Sequence, residues 1–218
     1  MHIDIYSDTI CPWCYIGKKR LQRALTARPD VQPTIHWRAF QLNPWMPAAG
    51  VAREEYLRAK FGATDAGRIY ANIRDVGATE DIDFRFDLMQ RTPNTIRSHR
   101  LIAWSAEQAG DDPQGQMVEA LFQTYFLEGK DIGATAVLLE ATERAGLDVE
   151  LAEAFLATDL YHDTVVAEDA KARQMGIQGV PCFIVDGAYA VSGAQEPEYF
   201  MPLFDLVLTG QAAAVSMN

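Results

Sequence analysis

The sequence predicts an α/β fold, a small sheet flanked by helices and interrupted by a large helical insertion. Three observations carry this. The chain opens with an alternating apolar–polar run, an amphipathic helical pattern and a second alternating run; residues 47 to 161 show helical spacing only; and the end reads helix, two short apolar runs, helix.

The opening "HIDIYSD" sets Ile3 and Ile5 between polar neighbours, with Tyr6 close behind, a period-two strand. From Cys11 the period changes. Ile16, Leu21 and Leu25 recur near helical spacing, Lys18, Lys19, Arg20 and Arg23 are expected to face water, and the helix should stop before Pro29. In "PTIHWRAFQLNP", Ile35, Trp37 and Ala39 alternate with His36 and Arg38, a second strand closed by Pro44. Strand, helix, strand in so short a span predicts parallel pairing.

From 47 to 161 no strand pattern competes, and helices are expected at 51–61, 65–76, 95–109, 113–126, 134–145 and 150–157. Gly62, Gly77, Gly110 and Gly146 lie just past four of them, where a left-handed residue ends a helix. No Ser/Gly-rich linker or repeat sets this block apart. It is expected to pack as an insertion on a core domain built from 1–46 and 162–218. A helix over 163–175, stopped by Gly176, leads to "VPCFIVD" and "AYAVSG" joined at Asp186-Gly187, a strong hairpin signal, and then to a last helix over 196–208. With the insertion removed the order is β-α-β…α-β-β-α, that of a thioredoxin core.

Nineteen basic and thirty acidic residues among 218 give a net charge of −11, which argues against nucleic acid or an anionic membrane as partner. No stretch approaches the roughly 20 apolar residues that cross a bilayer. The alternating start lacks the apolar run of a secretory signal, so a cytoplasmic protein is expected. Three cysteines in such a chain make no disulfide scaffold.

The chemistry therefore turns on "ICPWCY". Cys11 falls where the first strand turns into the first helix, and the free N–H groups and positive dipole end there favour an anionic sulfur. Pro12 suits a helix's first turn. Cys14, one turn on, lies on the same face, at a spacing that permits a disulfide. Cys11 is thus expected to be the exposed nucleophile and Cys14 the buried resolving thiol of a redox-active disulfide. Two alternatives stand beside this: a pair of small apolar helix residues, or half a zinc site. Zinc needs about four ligands. Cys182 and the scattered His2, His36, His99 and His162 do not supply them, so no metal is expected. In "GVPCF", Pro181 could be an ordinary trans proline opening a strand. Beside a CxxC in a thioredoxin core, a cis Val180–Pro181 bond becomes the better reading, with the Val180 backbone offered to an extended substrate.

The segments "SDTICPWCYIGKKRL", "FQLNP", "NTIRSHRL", "LFQTYFLEGKDI" and "GIQGVPCFIVDGAYAVSGAQ", in order across the chain, resemble the DsbA-like thioredoxin-fold oxidoreductases of the FrnE type. These are relatives of the 2-hydroxychromene-2-carboxylate isomerases and kappa-class glutathione transferases. The resemblance implies a thiol–disulfide oxidoreductase with Cys11 and Cys14 as its couple and Pro181 as its cis-proline. It also implies a cytoplasmic, often homodimeric protein that acts on protein or small-molecule thiols and disulfides, glutathione among them as co-substrate, with no bound cofactor. Two departures matter. The isomerases and transferases typically have serine where Cys11 stands. FrnE-type proteins usually have an aromatic residue where Cys182 stands.

Cys182 reads first as a buried apolar thiol, and second as a third redox group. Asp8 either exchanges a proton with a cysteine or, with Thr9, caps the coming helix. Asn94 and His99 sit in a segment that the resemblance places along the groove over the CxxC, while a lone helical histidine is more often structural. Trp13 is read as an exposed apolar contact for substrates rather than a packed aromatic. Two other functions compete with the oxidoreductase: a glutathione-dependent isomerase or transferase, and a redox-sensing binding module without catalysis.

Overall fold

The computed structural model describes residues 1–62 and 66–209. β1 (His2–Ser7) and β2 (Thr34–Ala39) run parallel, from His2 opposite Thr34 to Ser7 opposite Ala39. β5 (Cys182–Val185) lies antiparallel on the other side of β1, and β6 (Tyr189–Ser192) completes a sheet of order β2-β1-β5-β6. The β5–β6 hairpin turns where Asp186 and Gly187 both take positive φ, +48° and +68°, the geometry of a turn that matches strand twist.

Alternation divides the sheet between two faces. Ile3, Ile5, Phe183 and Val185 enter the main core with α1 (Pro12–Ala27) and α9 (Met201–Leu208). Tyr6, Cys182 and Ile184 enter a smaller cluster with Phe40, Ile177 and Ala172 of α8 (His162–Gln174). Helices α2 (Arg53–Phe61), α3 (Ala66–Ala78), α4 (Ile96–Ser105), α5 (Pro113–Phe126), α6 (Thr135–Arg144) and α7 (Val149–Leu156) lie between β2 and α8 in the chain. α4 and α5 pack on β2, and an aromatic cluster joins α1 to this block: Tyr15 stacks on Phe122 at 5.1 Å and meets Phe84 edge-on at 6.2 Å.

The outer edge of β2 is closed by side chains rather than by another strand. Gln114 Oε1 accepts the Trp37 N–H, Glu168 Oε2 the Ala39 N–H and Asp169 Oδ1 the Gln41 N–H, each at 2.8 Å.

Several expectations are corrected. The 47–161 block is not purely helical: β3 (Val51–Ala52) pairs antiparallel with β4 (Arg91–Thr92), and the first helix of the block starts at Arg53 instead of Val51. A ladder of two residues per strand has no periodicity to read. The expected helix start at Asp65 lies outside the described residues. α4 ends at Ser105, four residues early, and the last helix is split into a 3₁₀ turn (Pro197–Tyr199) and α9, each with a proline in its first turn. Arg20 does not face water. Its side chain is 8% exposed and reaches the buried Glu80 at 2.9 Å, because a carboxylate from the loop after α3 makes burial of the guanidinium tolerable.

Candidate active site

Cys11 is the N-cap residue of α1 and Pro12 its first helical residue, so the helix begins inside the CPWC. The Cys11 N–H is held by the Asp8 carbonyl and the Cys14 N–H by the Cys11 carbonyl, both at 3.0 Å, which fixes the two cysteines in consecutive positions around one turn. All three cysteines are thiols in this structure. The expectation of an exposed Cys11 is corrected: it is 4% exposed, Cys14 1%. The Cys11 sulfur contacts the Val180 carbonyl at 3.5 Å, so the loop before β5 lies across it. The Val180–Pro181 bond of that loop is cis.

Burial, aided by the Cys11 sulfur, pushes the Cys14 thiol well above its ordinary range, while the Ser7 hydroxyl and the Asp8 backbone N–H pull it partly back by hydrogen bonding to its sulfur. Cys14 is therefore a protonated thiol at neutral pH. Pro12 and Trp13 are half-buried, and Trp13 packs against the main core. Asp8 does not cap α1. Its carboxylate is fully buried, Oδ2 accepts the Leu42 N–H at 2.7 Å, and Oδ1 faces His99 Nε2 at 3.4 Å. Thr9 and Ser98 hydroxyls meet at 2.8 Å, a second tie between the β1–α1 turn and α4. His99 is thus brought to Asp8 and buried rather than set on an open groove. Asn94 is committed locally, its Oδ1 accepting the Ile96 N–H and its Nδ2 donating to the Met46 carbonyl, so it joins the start of α4 to the loop after β2. Cys182 points to the α8 side of the sheet, and burial pushes its thiol up.

Two contributors are absent from the sequence reading. Ser7 touches Cys14 from the end of β1. Gly17 lets α1 lie against Pro181: a Cβ there would sit 2.8 Å from Pro181 Cγ. The signal for Gly17 was present, since a glycine inside an amphipathic helical pattern marks a close approach. Ser7 had none.

One turn beyond the couple, Tyr15, Lys18 and Lys19 converge on Glu119 of α5. Burial alone would raise Glu119, but the two lysines outweigh it and the carboxyl is lowered to about 2. Because the folded value is depressed, its contribution to stability is present above the unfolded value and is lost as pH falls toward 2. Glu119→Gln is expected to cost about 1–2 kcal/mol at neutral pH, with the gap to the parent closing between about pH 4.5 and pH 2. Denaturation at several pH values checks this; a gap independent of pH would refute it.

Cysteines at the head of a helix, facing a proline loop on a sheet of order β2-β1-β5-β6, define a protein of the thioredoxin fold. Within that class the chain belongs to the family described as DSBA-like thioredoxin domain, whose model matches residues 2–203. It is similar to the "probable DsbA oxidoreductase SCO1869" of Streptomyces coelicolor, with 31% identity, a TM-score of 0.86, and coverage of 100% of this chain and 94% of that one. It is also similar to the uncharacterized protein YwbO of Bacillus subtilis (strain 168), 25% identical over 205 residues that make up 92% of this chain and 94% of YwbO. In fold it resembles the cytosolic disulfide reductase DsbM of Pseudomonas aeruginosa, solved with GSH, at 18% identity, a TM-score of 0.64, and coverage of 97% and 99%. Among the described residues no group of three or more His, Cys, Asp or Glu side chains is placed to hold a metal ion, and no helix is long and apolar enough to cross a membrane.

Proposed function

We propose that the chain is a thiol–disulfide oxidoreductase with Cys11 as nucleophile and Cys14 as resolving thiol. The observation that carries this reading is the placement of the two sulfurs: Cys11 at the head of α1 against the Val180 carbonyl, Cys14 one turn deeper with Ser7 and Asp8 at its sulfur. In the reducing direction the Cys11 thiolate attacks one sulfur of a substrate disulfide R–S–S–R′. A Cys11–S–S–R bond forms and R′–S⁻ departs to take up a proton. Cys14, giving up its thiol proton, then attacks the Cys11 sulfur: the Cys11–Cys14 disulfide forms, the bond from Cys11 to the substrate sulfur breaks, and R–S⁻ leaves with that bond's electron pair and takes up a proton. An external thiol running the same steps backwards restores the dithiol, and glutathione is the candidate, as DsbM has been solved with GSH.

Burial of Cys11 narrows the substrate class to glutathione-sized disulfides and to protein disulfides carried on an extended segment that can lie along the Val180–Pro181 loop in place of a surface-embedded bond. The proposed setting is the cytoplasm.

Trapping tests the reading. Cys14→Ser, incubated with glutathione disulfide, is expected to stop as a stable Cys11–glutathione adduct seen by mass spectrometry, whereas the parent passes on to the internal disulfide. If Cys14→Ser forms no adduct and Cys11→Ser keeps full reductase activity, the reading is wrong. Turnover that survives Cys14→Ser would instead favour glutathione-dependent isomerase or transferase chemistry.

A further inference from the structure

Between α1, the β2 side of the sheet and the start of α5 lies a cavity of about 190 Å³ that none of Cys11, Cys14, Val180 and Pro181 lines. Its walls are apolar: Ile5 of β1, Ile35 and Trp37 of β2, and Leu21 and Leu25 of α1. The sequence shapes the space. Gly115, in the first turn of α5, brings no side chain into it, and Lys18 turns its ammonium to Glu119 at 2.7 Å. An apolar cavity of about 150 Å³ takes up benzene, so this one has room for an aromatic ring with a short arm.

The mouth is polar. Lys18, Gln22, Asp112 and Gly115 also line an adjoining outer recess of about 310 Å³, so chamber and recess form one path, apolar at depth and charged at the rim. The rim charges are not equivalent. Glu119 is engaged by Lys18, by Lys19 and by the Tyr15 hydroxyl. Asp112 accepts the Gly115 N–H at 3.0 Å as the N-cap of α5, and among the described residues no ammonium or guanidinium pairs with it. Gly115 secures that placement, since a Cβ there would collide with Asp112 Oδ2. Both lysine charges are thus directed to Glu119, and the carboxylate left to face a ligand is Asp112.

We propose that this cavity is a binding site for small aromatic amines, with the ring against Trp37, Leu21 and Ile35 and the ammonium at the rim beside Asp112. Burial of the ring and its contact with the Trp37 indole supply the apolar part of the affinity. The ammonium meets its counter-charge, whereas an aromatic acid of the same length would bring a second negative charge to Asp112. The site lies apart from the cysteine couple, and the inference does not depend on the oxidoreductase reading.

Three probes of one shape and different charge test the proposal: 2-phenylethylamine, 2-phenylethanol and 3-phenylpropionate, at pH 7 on the full chain. Binding is read from the Trp37 indole N–H resonance and from thermal melting. The amine is expected to bind saturably below about 10 mM and to raise Tm, as a ligand of the folded state does. It should bind at least about threefold more tightly than the alcohol, and the acid no more tightly than the alcohol. Asp112→Asn keeps the cap of α5, because asparagine serves there as well as aspartate. It should remove the amine's advantage and leave the alcohol's affinity within about twofold. Ile35→Phe fills the chamber and should weaken all three probes at least about tenfold; Leu25→Phe, from α1, serves if that variant fails to fold. Amine binding by Cys11→Ser should stay within about twofold of the parent, since a loss there would put the ligand at the couple instead. Equal affinity for amine and alcohol, tighter binding of the acid, no saturable response to the amine, or undiminished binding by a folded filled variant overturns the proposal.

Discussion

Glu80→Ala is expected to lower the unfolding free energy by about 3–5 kcal/mol, the range for breaking a buried ion pair from one side. The Glu80 side chain is 1% exposed and accepts Arg20 Nε at 2.9 Å and Arg23 Nη1 at 2.8 and 2.9 Å. Arg23 stands half in water and can be rehydrated when its partner goes. Arg20 cannot; it would keep the Ala194 carbonyl and the exposed Glu196 as its remaining partners. The cost therefore falls on one guanidinium left with a half-exposed carboxylate and a backbone carbonyl, and it should be largely recovered by replacing both residues with apolar ones, as in Arg20→Met with Glu80→Leu. Urea denaturation of the parent and the two variants checks this. A single-variant loss below about 1 kcal/mol would show that Arg20 is not held by Glu80.

Gly17→Val is expected to be the most damaging change at the site that leaves both cysteines in place. A glycine inside a helix is normally about 1 kcal/mol worse than alanine, so Gly17→Ala on an open face would stabilise. Here the added Cβ would stand 2.8 Å from Pro181 Cγ and 3.2 Å from Phe183 Cζ, a proline ring and the end of a fully buried aromatic. Neither can swing aside, so the Pro181 loop must move off α1. Overpacking predicts a loss of about 1–3 kcal/mol for valine and reverses the sign expected for alanine. Since that loop also carries the carbonyl against Cys11, the proposed reductase activity should fall at least about tenfold even where the protein stays folded. A stabilised Gly17→Ala with full activity would refute the close approach.

How much of this was legible in the sequence depended on range. Ile3 and Ile5 announce β1, and Asp186-Gly187 announces the hairpin, because each signal lies within a few residues. The CPWC could be placed at a strand–helix junction for the same reason. The burial of Cys11, the fate of Arg20 and the pairing of Asp8 with His99 all depend on residues brought from far along the chain: Val180, Glu80 and α4. Charge type assigned Arg20 to the surface, since nothing local reveals a buried carboxylate in a later loop. Asp8 and His99 could each be singled out, but only the fold turns two separate candidates into one unit. The two-residue strands β3 and β4 were beyond reach because pairing, not pattern, defines them.

The side chains along the outer edge of β2 have a consequence for how the molecule meets its own kind. A second polypeptide that tried to lengthen the sheet from that side would have to displace Gln114, Glu168 and Asp169 from three backbone N–H groups before gaining a single ladder bond. Strand-by-strand growth, the route by which sheets seed fibrils and swap segments, is thereby blocked at one end of the sheet and left to β6 at the other. The protein carries its protection against self-templating in two helices, and unfolding α8 alone would remove two of the three guards.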